Sequence, residues 1–314
     1  MESTDHTAAQ ETPRAGRCAI VGRPNVGKST LLNTLLGQKL AIATPTPGTT
    51  RSCVLGVVAR TQPPLQIAFV DTPGMGQPKT ALARILVEQA RSGAVDTDVI
   101  VFMTDVQDRT AGKGVHPLDE PVIQLLEAAG QPAILVLNKV DRVKDKARLL
   151  PTIEAYTARH PFAAVVPMVA RTGKGAAALI DEIRQRLPEG LLYEDDFLTD
   201  RPERFFVTEL VREAVLTHTR AEVPHGVAVW IDGWEEREGG GVHVSATLAV
   251  EKPNHKKIVI GAKGSNLKAI GTAARREIEQ LLDRKVFLEL FVKVVPGWTG
   301  HSGKARRMLE ESGA

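Results

Sequence analysis

The sequence predicts an α/β domain built on a mostly parallel sheet, followed by a small α+β domain. Three observations carry that expectation. From Arg17 to about Leu187, apolar runs alternate with helical patterns, and several runs are unbroken, as in Val99-Ile100-Val101-Phe102-Met103. Unbroken runs suit parallel strands covered by helices on both faces. A glycine-rich stretch, Gly22-Arg23-Pro24-Asn25-Val26-Gly27-Lys28-Ser29, joins the first strand pattern to the first helical one. After Pro188 the rhythm breaks, and the C-terminal third of the chain reads helix–strand–strand–helix–strand.

Taken in order, the expected strands of the first domain are Arg17–Val21, Ser52–Ala59, Leu65–Asp71, Thr97–Thr104, Ala133–Asn138 and Ala164–Met168. The expected helices are Lys28–Leu36, Thr80–Ser92, Leu118–Ala129, Lys144–Arg159 and Lys174–Leu187. These place the domain at 16–187. Pro188–Glu203 has two prolines, a glycine and the acidic cluster Glu194-Asp195-Asp196, and reads as a linker over 188–203. Its Leu191, Leu192, Tyr193 and Phe197 are apolar enough to dock it on one domain. The second domain, 204–298, opens with a helix at Phe205–Arg220. Alternating runs come next at Val227–Trp234 and Val242–Val250, joined by the loop Glu235–Gly241. A helix at Ser265–Leu282 leads to a strand at Val286–Val295, with Val286, Leu288, Leu290, Val292 and Val294 on one face. Residues 299–314 read as a disordered basic tail.

The chain has 314 residues, 43% apolar and 25% charged, ordinary values for a globular protein. Net charge is +3, unevenly placed: residues 251–314 hold 13 basic and 7 acidic groups. A near-neutral body with a basic end points to a polyanion bound at that end. Cys18 and Cys53 have no metal-type spacing, and Cys18 reads as a small buried strand residue. The histidines form no ligand cluster, so no structural zinc is expected. Residues 1–15 are polar, without the apolar core of a secretory signal, and no run is long enough to span a bilayer. A cytoplasmic protein with a disordered N-terminal tail is expected.

The chemistry is carried by three motifs, each at the C-terminal end of an expected strand, where such sheets bind ligands. In Gly22–Ser29 the glycines let the backbone curl so that successive N–H groups face a phosphate. The helix that begins at Lys28-Ser29-Thr30 turns its positive end to the same place. Lys28 reaches the β- and γ-phosphates, and the Ser29 hydroxyl ligates Mg²⁺. Asp71-Thr72-Pro73-Gly74 is, alone, a common turn. Beside the first motif, its carboxylate holds Mg²⁺ through a water and the Gly74 N–H meets the γ-phosphate. Asn138-Lys139-Val140-Asp141 supplies an acceptor-only carboxylate, which suits the N1–H and N2 amine edge of guanine and not adenine.

Together these motifs resemble those of the small GTPases, in which N-K-x-D selects GTP over ATP. The resemblance makes Thr44–Arg51 switch I. By likeness to bacterial translation-associated GTPases, Thr50 is its first choice of Mg²⁺-sensing threonine and Thr49 its second. The guanine-side loop reads Val169-Ala170 where Ser-Ala is usual, with the Ala170 N–H directed at guanine O6. Met75 occupies the position of the water-orienting Gln of Ras-like proteins, and an apolar side chain cannot orient water. Arg23 and Arg51 read as solvated loop residues, not catalytic fingers, so intrinsic turnover should be slow. In related GTPases with this loop, an Asn equivalent to Asn25 helps hold K⁺, which implies K⁺-stimulated hydrolysis. The catalytic set is then Lys28, Asn25, Thr50 and Gly74.

In the second domain Gly261-Ala262-Lys263-Gly264 is a G-x-x-G loop ahead of a basic amphipathic helix. Lys256, Lys257, Lys263 and Lys268 surround it. In this element order it resembles a type II KH domain, whose G-x-x-G clamps nucleic-acid backbone. Lys257–Ile260 favours a strand by β-branching, whereas the resemblance calls for a helical turn there. A P-loop GTPase domain followed by this KH domain resembles the Era family of ribosome-associated GTPases over about Arg17 to Trp298. The resemblance implies binding of GTP and GDP, and of small-subunit ribosomal RNA near its 3′ end, on the pre-ribosomal small subunit. It also implies peripheral association with the inner membrane; Mg²⁺ is expected from the motifs above, and the protein is expected to be a monomer. Two other readings stand beside it: a membrane-surface signalling GTPase, and an RNA chaperone with an idle G domain.

Overall fold

The computed structural model describes residues 12–107, 110–194, 197–219 and 223–313. The first domain runs β1 (Arg14–Val21), α1 (Lys28–Leu36), β2 (Val54–Thr61), β3 (Pro64–Asp71), α2 (Ala81–Val95), β4 (Val99–Asp105), α3 (Glu120–Ala129), β5 (Ala133–Asn138), α4 (Leu149–Arg159), β6 (Ala164–Pro167) and α5 (Ala176–Arg184). Its six strands lie in the order β2-β3-β1-β4-β5-β6. The β2–β3 pair is antiparallel and the others are parallel.

The unbroken apolar runs have a direct physical reason. Successive side chains point to opposite faces of a sheet. Cys18, Ile20, Val99, Val101, Ile134 and Val136 enter one core, against α1 and α5. Their neighbours Ala19, Val21, Ile100, Phe102, Leu135 and Leu137 enter the other, against α2, α3 and α4. Loops at the C-terminal strand ends are thereby fixed from both sides.

The second domain runs α6 (Glu203–His218), β7 (Val227–Glu236), β8 (Val242–Val250), α7 (Pro253–Ile260), α8 (Ser265–Leu282) and β9 (Val286–Val294). β8 pairs antiparallel with β7 and parallel with β9. Alternation in β8 and β9 sends Val242, Val244, Ala246, Leu248, Leu288, Leu290 and Val292 onto α6 and α8.

Four expectations differ from the structure. Lys257–Ile260 is the end of helix α7, as the resemblance calls for and against its β-branching: Pro253 pre-sets the first turn, and burial of His255 and Val259 decides the conformation. The expected disordered tail is ordered. Trp298 is fully buried, and α9 (Ser302–Glu311) packs Ala305, Met308 and Leu309 on Leu82, Ile85 and Leu86 of α2. Those three residues sit at helical spacing, with Lys304, Arg306 and Arg307 on the polar side. Arg23 and Arg51 are buried, not solvated, at 8% and 5% exposure. Helices α4 and α5 start late, because Asp145 caps a separate short turn and Gly175 takes φ 92° ahead of α5.

The linker segment lies along edge strand β2. Tyr193 and Phe197 stack at 4.6 Å against Leu55, Val57 and Ala68, and the Val57 N–H donates to Leu198 O. Residues 1–11 of the expected N-terminal tail, Asp195 and Asp196 of the acidic cluster, and Arg220 lie outside the described residues. Arg14 and Ala15, also assigned to that tail, belong to β1.

Candidate nucleotide-binding site

β1 delivers the chain to Gly22, where a Cβ would stand 2.2 Å from Met103 O. At Gly27, φ 113°, a Cβ would stand 2.4 Å from Asn138 Nδ2. Only glycine lets the loop pass so close to β4 and β5. Asn138 explains the second contact. Its amide donates to Val26 O at 2.7 Å and accepts from the Ala170 N–H at 2.9 Å. One side chain thus ties the first loop to those after β5 and β6. The Ala170 N–H, expected to meet guanine O6, is already used by Asn138.

Lys28 is buried at the start of α1 and donates to Gly22 O and Arg23 O at 3.1 and 3.2 Å. Burial lowers its pKa to about 8, opposed by the charge of Asp71. The Ser29 hydroxyl donates to Asp71 Oδ2 at 2.7 Å and lies 2.9 Å from the Thr50 hydroxyl. Burial raises the Asp71 carboxyl to about 6 against the pull of Lys28 and Ser29. The other oxygen, Asp71 Oδ1, is buried with no hydrogen-bond partner among the described residues. Two hydroxyls, a carboxylate with an unused oxygen and an adjacent ammonium fit a hydrated Mg²⁺ with phosphate. Thr49 faces the other way, its hydroxyl on Thr46 O at 2.6 Å and on Thr44 at 2.7 Å.

Thr72 anchors the D-T-P-G turn by donating to Ile20 O at 2.8 Å. Gly74 passes so close to Pro24 that a Cβ there would sit 2.8 Å away. Met75 donates its N–H to Gly22 O at 3.0 Å and sends its side chain wholly into the core. It therefore borders the site by backbone only. Lys139, at φ 61°, donates to Asn25 O at 2.7 Å and to Asp105 Oδ2 at 2.9 Å. Asp141 stands exposed in the turn Val140–Arg142, held through the Val140 N–H on Met168 O. Asn25, at φ 64°, donates its amide to Pro45 O of switch I at 2.8 Å.

Sequence reasoning missed the buried network beneath this rim. Arg23 pairs with Asp105 and donates to Thr104 Oγ1 at 2.9 Å. Burial would raise the Asp105 carboxyl, but Arg23 and Lys139 outweigh it and hold it low. Asp119, fully buried, accepts from Thr104 at 2.6 Å and Tyr156 at 2.7 Å. No local pattern marks these residues, since the partners lie on separate strands and helices.

On the second domain, Gly261 (φ 73°), Lys263 (φ 51°) and Gly264 (φ 81°) turn the chain from α7 into α8. A Cβ on Gly261 would meet Asn266 Cβ at 2.7 Å. Lys257, Ala262, Lys263 and Lys268 are exposed, and Lys256 is half-buried. Together they form a basic rim around a glycine turn that backbone phosphates can approach.

These two sites match known proteins. The family described as 50S ribosome-binding GTPase matches residues 17–139, and the KH domain family matches 222–299. GTPase Era of Geobacter metallireducens is 44% identical over 302 residues, 96% of this chain and 97% of that protein. GTPase Era of Lactobacillus delbrueckii is 44% identical over 286 residues, 91% and 92% of the two chains. A crystal structure of Era with MgGDPNP and nucleotides 1506–1542 of 16S ribosomal RNA superposes at TM-score 0.88, with 40% identity, over 94% of this chain and 98% of that one. A single-substitution variant of Aquifex aeolicus Era bound to GDP and AlF4⁻ superposes at 0.87, with 40% identity, over 93% and 98%. The chain, with its P-loop domain and KH domain in this order, belongs to the Era family of GTPases.

Proposed function

We propose that this GTPase couples GTP binding to the presentation of its KH domain to small-subunit ribosomal RNA near the 3′ end, as a small-subunit assembly factor. One observation carries the nucleotide half: Ser29, Thr50 and Asp71 converge beside buried Lys28, and Asp71 keeps one buried oxygen without a partner among the described residues. The Era crystal structure that holds both GDPNP and a 16S ribosomal RNA fragment supports the RNA half. The family description naming the 50S particle covers only 17–139, outside the KH domain, and so bears on the switch and not on the RNA chosen.

In this reading the first domain (16–187) holds nucleotide and the second (204–298) holds RNA, joined by 188–203. Gly22 to Thr30 wraps the phosphates, with Lys28 neutralising the charge that develops on them. Ser29, Thr50 and Asp71 hold Mg²⁺, which bridges the phosphates and offsets their charge. Asp141 accepts from guanine N1–H and N2, and the Gly74 N–H meets the γ-phosphate. GTP orders both switches and hydrolysis releases them. Lys256, Lys257, Lys263 and Lys268 hold RNA phosphates around Gly261-Ala262-Lys263-Gly264.

Hydrolysis is slow without help. Met75 is in the core, and Arg23 and Arg51 are committed to buried partners, so no side chain of this group orients water or acts as a finger. The Asn25 amide oxygen is the atom to hold K⁺ where a finger's charge would act. The protein acts as a monomer in the cytoplasm, peripheral to the inner membrane. Among the described residues no helix is long and apolar enough to cross a membrane. The test is RNA binding by anisotropy in GDPNP, GDP and nucleotide-free forms, with phosphate release compared in K⁺ and Na⁺. Affinities should differ about fivefold or more between nucleotide states, a typical coupling. Equal affinities remove the coupling, and equal rates in K⁺ and Na⁺ remove the role of Asn25.

A further inference from the structure

The residues on both sides of Thr50 are bonded to the KH domain. On one side, Arg51 leaves the first domain altogether. Its guanidinium donates to Val227 O and, at 3.2 Å, to His225 O, and it lies 5.5 Å from the ring centre of Trp298. On the other side, Arg212 of α6 donates to Thr49 O and is fixed by Glu209, its Nε on Glu209 Oε1 at 2.8 Å. One step further back, Glu213 accepts from the Ala43 N–H at 3.3 Å and pairs with Lys39. Arg51 and Arg212 are 5% and 2% exposed.

Two guanidinium groups buried in one seam are costly. Burial first, then the like charge of Arg212, pushes Arg51 down to about 9. Glu209 offers only partial relief. Well-packed apolar residues would seal such a seam as firmly. What arginine adds is a forked, directional grip on backbone carbonyls. Arg212 grips the carbonyl of Thr49, before Thr50, and Arg51, after it, grips Val227 O and His225 O across the seam. Consecutive Cα atoms are about 3.8 Å apart, so Thr50 cannot stay on Ser29 if its two neighbours move with the KH domain.

We infer that Arg51 and Arg212 are positioning residues for Thr50, so that docking of the KH domain completes the Mg²⁺ side of the nucleotide site. This rests on the reading of Thr50 as the threonine that meets Mg²⁺ in the GTP state. Closing switch I and seating the KH domain then become one equilibrium. By linkage, whatever favours one favours the other equally.

The test tracks release of a fluorescent GTP analogue and of fluorescent GDP from full-length protein across a Mg²⁺ titration. Wild type, Arg51→Ala, Arg51→Lys and Arg212→Lys are compared. Arg51→Ala should raise the Mg²⁺ needed to retain the GTP analogue about tenfold. Retention of GDP, in which the switch threonine has no part, should change less than about twofold. Arg51→Lys, keeping the charge but losing the fork, should fall between. Equal shifts for both nucleotides, or none for the GTP analogue, overturn the inference. Should Arg51→Ala fold poorly by thermal melting, the two lysine variants decide it on the same ratio. RNA affinity in both nucleotide states is read on the same samples. A wild type indifferent to nucleotide there ends the proposed switching, while the Mg²⁺ ratio still decides the role of the arginines.

Discussion

Two of the glycine loops that lead into a helix N-terminus, Gly22–Ser29 and Gly261–Gly264, are built differently. In the first, Cβ atoms on both glycines would strike neighbouring groups within 2.4 Å, and the lysine is buried. In the second, a Cβ on Gly261 would meet Asn266 of the same turn at 2.7 Å, but one on Gly264 would meet nothing within 4 Å, and Lys263 is exposed. The first loop is one wall of a chamber, packed closely against Met103, Asn138 and Gly74. The second is an open ledge. A chamber suits one compact ligand read from all sides, whereas a ledge suits a polymer that enters at one end and leaves at the other. Both combine backbone N–H groups with positive charge, a chemistry that suits phosphate, and only the first is crowded by neighbouring strands.

The largest expected effect tests whether the chamber refuses the wrong base. Asp141→Asn replaces an acceptor by a side chain that can donate to the carbonyl xanthine carries where guanine has its amine. GTP affinity should fall about 10⁴-fold, as when a site built to hydrogen-bond its ligand is mismatched, with xanthosine triphosphate recovering most of it. Competition binding measures both. A variant that still prefers GTP would show that the chamber does not read the base edge through Asp141.

A smaller effect compares the loops directly by adding one methyl group to each. Gly22→Ala forces a Cβ against Met103 O, and overpacking of that kind costs about 3 kcal/mol of stability. Gly264→Ala has room and bears only the left-handed backbone penalty, about 1 kcal/mol. Urea unfolding monitored by circular dichroism gives both values. Equal losses would mean that the ledge is as tightly built as the chamber.

The same difference explains how much of the molecule is legible in its sequence. The first loop writes its constraint locally: two glycines, Lys28 and Ser29 at fixed spacing between an apolar run and a helix. The two-faced sheet is likewise legible in runs such as Val99–Met103. The seam between the domains is not. Arg51 finds its carbonyl partner 176 positions away, and an arginine in a loop looks the same whether its partner is water or a distant backbone. α9 is hidden because its three buried residues are interleaved with Lys304, Arg306 and Arg307, so the segment's average polarity conceals its face. α7 misleads because Ile258, Val259 and Ile260 are β-branched, while burial of His255 and Val259 decides the conformation. Likeness alone ranks Thr50 over Thr49. In the fold their hydroxyls part: that of Thr50 lies 2.9 Å from Ser29, and that of Thr49 bonds inside its own loop.

The smallest effect belongs to the ledge. Lys263→Glu should lower affinity for single-stranded RNA about tenfold at low salt and reduce the log–log salt slope by about 0.7, one phosphate contact. GTP affinity should not change, because Lys263 lies in the second domain, away from every residue of the chamber. The salt slope is the decisive reading. A loss of affinity with an unchanged slope would mean that Lys263 supports the shape of the turn at φ 51° instead of meeting phosphate. Lys263→Gln then separates the two roles, since it removes the charge while keeping a side chain of similar length. If the slope falls by the same amount in both variants, the ledge holds its polymer by charge at this position, and sequence preference must come from elsewhere on the KH domain.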